Sequence, residues 1–198
     1  MSSSDASTET TAPASASSAT STALAVLPGR RGVGPYRVVM VCTGNICRSA
    51  MAEVVLRDRL AAAGIPDSGP GGVTVTSAGV SDEERGNPID SRARRVLTEA
   101  GYGVGADDVS RATGIAIASH TAHRVTDAEI TEADLLLAMT DSHWNVLQRR
   151  AASLGAEPDR IRMYRELDPA STQQVEAVAA GGSSRSVLNV PDPWYGTM

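Results

Sequence analysis

The segment Val-Cys-Thr-Gly-Asn-Ile-Cys-Arg-Ser (41–49) contains a cysteine followed six positions later by an arginine. A cysteine thiolate is a strong nucleophile at neutral pH, and an arginine guanidinium can bind two phosphoryl oxygens at once. Gly44 and Asn45 tolerate the left-handed backbone that a tight anion-binding loop needs. The segment therefore predicts an oxyanion-binding loop in which Cys42 attacks a bound phosphoryl group that Arg48 holds.

The segments on either side explain how such a loop is held. Residues 36–42 form a short apolar run rich in β-branched side chains, which predicts a buried strand. Ser49 opens a helical pattern whose apolar side chains recur on one face. A strand–loop–helix junction directs backbone N–H groups and the positive end of the helix at the loop, which favours a bound anion and the thiolate form of Cys42. Ser49 can donate a hydrogen bond to the Cys42 sulfur when the bond between that sulfur and the phosphoryl group breaks.

The rest of the chain alternates between apolar runs and helical patterns. We predict further strands at 73–78, 134–139 and 161–164, helices at 91–100 and 141–154, and a long loop at 169–189. Strands that alternate with helices are typical of a parallel sheet covered on both faces. The fold class predicted is α/β, a four-stranded parallel sheet flanked by helices. Ligands of such folds bind at the carboxyl ends of the strands, where Cys42 lies.

Composition limits the classes of function. The 198 residues divide into a Ser/Thr/Ala-rich tail at 1–35, predicted to be disordered, and one domain at 36–198. A net charge of −5 argues against a nucleic-acid partner, and no apolar run is long enough to span a membrane. Two cysteines and no secretory signal predict a cytoplasmic protein. The three histidines and two cysteines form no ligand cluster, so no metal or other cofactor is expected.

Four segments together resemble the low-molecular-weight protein tyrosine phosphatases. The first is the extended loop with the start of its helix, 41–53, in which Ala50 replaces the family's usual proline. The other three are Thr-Ser-Ala-Gly, Gly-Asn-Pro-Ile-Asp-Ser-Arg-Ala and Val-Pro-Asp-Pro-Trp-Tyr-Gly, at 76–79, 86–93 and 190–196. The resemblance covers about residues 36 to 198 and implies the family's fold and activity.

The resemblance implies a role for each matching residue. Cys42 is the nucleophile, Arg48 binds the phosphoryl oxygens, and Asp192 protonates the leaving oxygen and then activates water. Cys47 matches a second cysteine that forms a reversible disulfide with the nucleophile in some members. The residues assigned to substrate binding are Thr43, Gly44, Asn45, Ile46, Cys47, Ser49, Trp194 and Tyr195, and those assigned to loop support are Ser77 and His120. Asn45 and Ser49 also match positions that support the loop.

The expected substrate is a phosphotyrosine protein or a small phenyl phosphate. Alternatives of the same fold are a protein arginine phosphatase, which tends to carry threonine at Ile46, and an arsenate reductase, which relays oxidation through a third cysteine. A phosphate-binding pseudophosphatase is the non-enzyme alternative. Glu83 replaces a substrate-stacking tryptophan of many members, which adds negative charge near the mouth of the site. The sequence printed ends at Met198, where many members continue into a C-terminal helix, so we expect that helix to be absent.

Overall fold

The structure is a computed structural model that describes residues 26–193. Along the chain the elements are β1 (Tyr36–Cys42), α1 (Arg48–Ala62), β2 (Val73–Gly79), α2 (Ser91–Glu99), α3 (Asp108–Ser119), α4 (Asp127–Glu132), β3 (Leu135–Ala138), α5 (Asp141–Leu154), β4 (Ile161–Met163) and α6 (Thr172–Ala179). Short 3-10 turns lie on either side of β4 and of α6. No helix within this part of the chain is long and apolar enough to cross a membrane.

The four strands form one parallel sheet in the order β2-β1-β3-β4. Cys42, the last residue of β1, lies opposite Gly79, the last residue of β2. Val41 lies opposite Ala138, where β3 ends. The prediction of a four-stranded parallel α/β fold is confirmed, and the carboxyl ends of three strands meet around Cys42.

Side chains of β1 alternate between two apolar layers because successive residues point to opposite faces of a sheet. Val38, Met40 and Cys42 pack in a layer that α1 covers through Leu56 and Leu60. Val39 and Val41 pack in a layer with buried residues of α4, α5 and β4. Since both faces are covered, the strands read as continuous apolar runs.

The structure corrects three sequence predictions. Residues 169–189, predicted to be a loop, contain α6 at 172–179. α3 and α4 were not predicted at all. α1 begins at Arg48, one residue before the predicted start at Ser49, and no side chain caps its first turn. The first turn therefore leaves its backbone N–H groups close to the loop that precedes it.

Residues 26–35 lie along the amino ends of the strands. The backbone N–H of Arg31 donates to Asp134 Oδ1 at 2.6 Å, and Tyr36 Oη donates to the Pro28 carbonyl at 2.9 Å. This part of the predicted tail thus contacts the domain. The remainder of the predicted disordered tail, 1–25, lies outside the described residues, and the domain boundary stays a prediction.

Candidate active site

The candidate site is the loop between β1 and α1. It begins at Cys42, which is 3% exposed, and ends at Arg48, the first residue of α1. Gly79 approaches the loop so closely that a Cβ there would lie 2.5 Å from the Thr43 carbonyl oxygen. The end of β2 is therefore part of the wall that shapes the loop.

The sulfur of Cys42 has a hydroxyl partner. Cys42 Sγ lies 3.0 Å from Ser49 Oγ, and Ser49 is fully buried. Ser49 Oγ accepts a hydrogen bond from Asn45 Nδ2 at 3.1 Å, and its own hydrogen has two acceptors within reach, the Cys42 sulfur and, at 3.4 Å, the Ala78 carbonyl oxygen. A hydroxyl that donates to sulfur stabilises a thiolate relative to a thiol.

Asn45 holds the loop in its bent shape. Its φ of 62° makes it the single non-glycine residue with a positive φ in the described part of the chain. The side chain is completely buried, donates to Ser77 Oγ at 2.8 Å and accepts from the backbone N–H of His123 at 3.1 Å. The backbone carbonyl oxygen of Asn45 accepts from His120 Nε2 at 2.7 Å. Ser77 and His120 thus contact the loop residue that the sequence assigned them to support.

The backbone contact of His123 was not predicted. Its side chain also pairs with Glu129, Nε2 to Oε1 at 2.9 Å. The hydrogen bond that His123 donates to Glu129 raises the pKa of His123, against the lowering effect of burial. Only the three-dimensional fold brings His123 to Asn45, and no local sequence pattern indicates this contact.

Arg48 and Asp192 form an ion pair at the mouth of the loop. Arg48 Nη2 lies 2.6 Å from Asp192 Oδ2, with the arginine side chain 8% exposed and the aspartate 29% exposed. Arg48 Nη1 also donates to the Val190 carbonyl at 3.3 Å. A phosphoryl group in the loop would compete with the carboxylate for the guanidinium.

Cys47 differs from Cys42 in its surroundings. It immediately precedes α1 and packs against Ile89 and its neighbours. Burial, followed by the charge of Asp90, raises the pKa of Cys47 to about 11. Cys47 is therefore a thiol at neutral pH, which leaves Cys42 as the candidate nucleophile. The redox role of Cys47 stays a prediction.

An acidic side chain, that of Glu84, lies against the loop at Gly44. A Cβ at Gly44 would lie 2.7 Å from Glu84 Cγ, so the stem of Glu84 rests on the loop. Glu84 Oε2 accepts from Asn87 Nδ2 at 2.6 Å, which holds this side chain in place. Glu84, the neighbour of the predicted Glu83, is thus an acid whose side-chain stem contacts the loop, and the placement of Glu83 near the mouth stays a prediction.

His143, at the other edge of the loop, was also not predicted. Its Nε2 lies 2.9 Å from Thr43 Oγ1, and its Nδ1 lies 3.0 Å from Thr140 Oγ1. A sequence signal existed, because Thr140 and His143 follow a buried strand by a few residues and the carboxyl ends of parallel strands converge.

The remaining predicted residues have simpler placements. Ile46 is half-buried, and its carbonyl oxygen accepts from the Asp90 N–H at 2.9 Å. Trp194 and Tyr195 lie outside the described residues. Within residues 26–193, no group of three or more His, Cys, Asp or Glu side chains could hold a metal ion. The expectation that no cofactor is required stays a prediction.

The chain is similar to known proteins in sequence and in fold. The family model described as low molecular weight phosphotyrosine protein phosphatase matches residues 37–111 and 105–198. The low molecular weight protein-tyrosine-phosphatase of Streptomyces coelicolor is 35% identical over 161 residues, 81% of this chain and 79% of that protein. The low molecular weight protein-tyrosine phosphatase A of Mycobacterium tuberculosis is 36% identical over 162 residues, 82% of this chain and 78% of that protein.

Among solved structures, the low molecular weight protein tyrosine phosphatase from T. tengcongensis superposes with a TM-score of 0.54 at 29% identity. The match covers 80% of this chain and 82% of that one.

Proposed function

The chain belongs to the low-molecular-weight phosphotyrosine protein phosphatase family, and we propose that it hydrolyses phosphotyrosine in proteins through a cysteinyl-phosphate intermediate on Cys42. The observation that carries this proposal is the single loop that holds a buried Cys42 sulfur 3.0 Å from a hydroxyl and an arginine 2.6 Å from an aspartate. These two contacts support the assignment of Cys42 as the nucleophile, Arg48 as the anion-binding group and Asp192 as the acid.

The first half of the reaction transfers the phosphoryl group to sulfur. The Cys42 thiolate attacks phosphorus opposite the leaving oxygen, an S–P bond forms and the P–O bond to the phenol breaks. Asp192 gives its proton to the departing oxygen, so the phenol leaves neutral. Arg48 and the positive end of α1 stabilise the charge on the three phosphoryl oxygens.

The second half returns the enzyme to its starting state. The Asp192 carboxylate takes a proton from water, the water oxygen attacks phosphorus, and the S–P bond breaks. Ser49 donates to the sulfur as it regains negative charge, and inorganic phosphate departs. The same aspartate thus serves as acid and then as base.

The substrate class follows from the family and from the mouth of the site. The broad assignment is a phosphoprotein, and the finer one is a phosphotyrosine protein or a small phenyl phosphate. Glu84 beside the loop adds negative charge, so peptides with basic residues near the phosphotyrosine should be preferred over acidic ones. A thiolate enzyme with two free cysteines also suits the reducing cytoplasm, which we propose as its location.

The decisive experiment compares the wild-type protein with Cys42→Ser on p-nitrophenyl phosphate and on a phosphotyrosine peptide. A serine hydroxyl is a far weaker nucleophile than a thiolate at pH 7, so turnover should be abolished. Binding of inorganic phosphate, measured by calorimetry, should largely survive and serves as the control for an intact loop. Retained turnover in Cys42→Ser would remove the nucleophile assignment. If the wild type hydrolysed a phosphoarginine peptide and not a phosphotyrosine peptide, the proposed substrate would be phosphoarginine instead of phosphotyrosine.

A further inference from the structure

The contacts that hold the candidate loop lie mostly on the side of β2. Ser77, His120 and His123 all contact Asn45 there. Thr43 is the exception, since its carbonyl oxygen and its hydroxyl are held from opposite sides. Its carbonyl oxygen accepts from the Ser81 N–H at 3.0 Å, beyond the end of β2. Its hydroxyl is held from the side of β3, by His143.

His143 connects two threonines through its two ring nitrogens. Nε2 lies 2.9 Å from Thr43 Oγ1, and Nδ1 lies 3.0 Å from Thr140 Oγ1. Thr140 follows β3 and caps α5, accepting from the His143 N–H at 3.4 Å. His143 is 5% exposed, so packing fixes the orientation of its ring. A rigid link therefore runs from the end of β3 to the residue that follows the nucleophile.

We propose that His143 is a positioning residue of the phosphatase loop, which fixes Thr43 and thereby the first turn of backbone after Cys42. The inference rests on the proposed function, because the loop's shape matters only if the loop binds a phosphoryl group. Thr43 is exposed and belongs to no helix or strand. Its side-chain contact with His143 therefore restrains it on the side of β3. Small displacements of a phosphate-binding loop cost rate because donors must meet the transition state at hydrogen-bonding distance.

The charge state of the ring fits a positioning role. Burial, followed by the positive charge of Arg48, lowers the pKa of His143 to about 4, against the opposing charges of Asp192 and Asp141. At neutral pH the ring is therefore uncharged, with one nitrogen as donor and the other as acceptor. Both threonines can be satisfied in this form without adding positive charge beside Arg48. A group that stays neutral from pH 5 to 8 does not exchange protons with the substrate in that range.

Two amide replacements separate the two hydrogen bonds. The amide nitrogen of asparagine reaches the place of Nδ1, so His143→Asn keeps the bond to Thr140 and loses the bond to Thr43. The amide of glutamine reaches the place of Nε2, so His143→Gln keeps the bond to Thr43. We expect His143→Asn to lower kcat/KM on p-nitrophenyl phosphate by about three- to tenfold, the loss of one hydrogen bond. His143→Gln should stay within about twofold of the wild type.

Inhibition by inorganic phosphate gives a second readout that does not depend on turnover. Its inhibition constant should rise in His143→Asn by a similar factor and stay unchanged in His143→Gln, with equal melting temperatures for the two variants. The pH–rate profile between pH 5 and 8 should keep its shape in both. Equal activity of the two variants would overturn the proposal, as would the disappearance of an ionisation from the profile.

The partner side of the contact is tested with Thr43→Val, which removes the hydroxyl and keeps the branched shape. The double variant Thr43→Val/His143→Asn should be no worse than either single variant, because both remove the same bond. Losses that multiply would show that Thr43 and His143 act separately, and would overturn the proposal. Should neither His143 variant fold, Thr43→Ser must retain activity that Thr43→Val loses, and full activity in Thr43→Val would overturn the proposal.

Discussion

An aspartate paired with an arginine occurs at each end of the sheet, and the two pairs differ in burial and in hydrogen bonding. At the carboxyl ends, Asp192 contacts Arg48 at 2.6 Å with 29% of the aspartate side chain exposed. At the amino ends, Asp134 is 3% exposed and lies 3.7 Å from Arg160. The closer ion pair is thus the more exposed one.

The buried aspartate is held by the backbone rather than by the arginine. Asp134 Oδ1 accepts from the N–H of Arg31 at 2.6 Å, and Oδ2 accepts from the N–H of Arg37 at 2.8 Å. Arg160 Nη1 donates to the carbonyl oxygens of Gly29 and Asp134. These contacts join the start of β1, the start of β3 and the segment at 26–35.

The comparison shows how one pair of residue types serves two purposes. A carboxylate that accepts two backbone N–H bonds in a buried position cannot leave without orphaning its donors, so Asp134 stabilises the fold. Asp192 is 29% exposed, and its partner Arg48 is also the proposed phosphate-binding group, which suits the proposed role of Asp192 as the acid. Burial and the identity of the donors, rather than the ion pair itself, distinguish the structural aspartate from the proposed catalytic one.

The largest expected effect breaks the pair at the carboxyl end. Asp192→Asn cannot protonate a leaving oxygen, so kcat on phenyl phosphates with basic leaving groups should fall by about 10²–10⁴-fold. Substrates with acidic leaving groups need no proton and should lose much less. The measurement is a leaving-group series, with the urea midpoint as a control that should hardly change. A loss that is uniform along the series would show that Asp192 is not the acid.

The opposite outcome is expected at the amino ends. Asp134→Asn places an amide among backbone donors and leaves at least one of them unsatisfied, which should lower the free energy of unfolding by about 1–3 kcal/mol. The values of kcat and KM for the folded fraction should remain those of the wild type. Urea denaturation measures the first and steady-state kinetics the second, with the exposed Asp159→Asn as the matched control. A kinetic defect in folded Asp134→Asn would contradict the division between the two ends.

The two ends also differ in how far sequence could predict them. The loop at 41–49 is contiguous, so its chemistry could be predicted from residue types and spacing before any fold was known. The contacts of Asp134 with Arg31 and of His143 with Thr43 join residues about 100 positions apart. The sequence could indicate that His143 follows a buried strand and so lies near the carboxyl ends, but not that it contacts Thr43.

Helices without strong apolar periodicity were equally hidden. α3 is buried only at Thr113, and α6 has no fully buried residue, so neither presents the stripe that predicts a helix. Strands β1 and β3, which are buried on both faces, produced the clearest signals.

The smallest expected effect concerns His123 and Glu129, which support the loop from the β2 side. The contact with Glu129 raises the pKa of His123. The contribution of His123 to the free energy of unfolding is therefore complete below about pH 6.5, the pKa of an unfolded histidine, and is lost as the pH rises through the raised pKa. The pKa of Glu129 is lowered, against burial, by the hydrogen bonds from His123 and Thr126, so its contribution is present above about pH 4.3 and is lost as pH falls. The pair should therefore stabilise the fold most at about pH 5–6.

The variant Glu129→Gln tests this contribution. It removes the charge but keeps an acceptor for the Thr126 N–H, which in the wild type donates to Glu129 Oε2 at 2.7 Å. Because His123 is 39% exposed, solvent screening should hold the loss of unfolding free energy below about 1 kcal/mol. The measurement is the difference in unfolding free energy between the wild type and Glu129→Gln at pH 5.5 and at pH 8.5. If the difference were equal at both pH values, the contribution of the pair to stability would not depend on its charges.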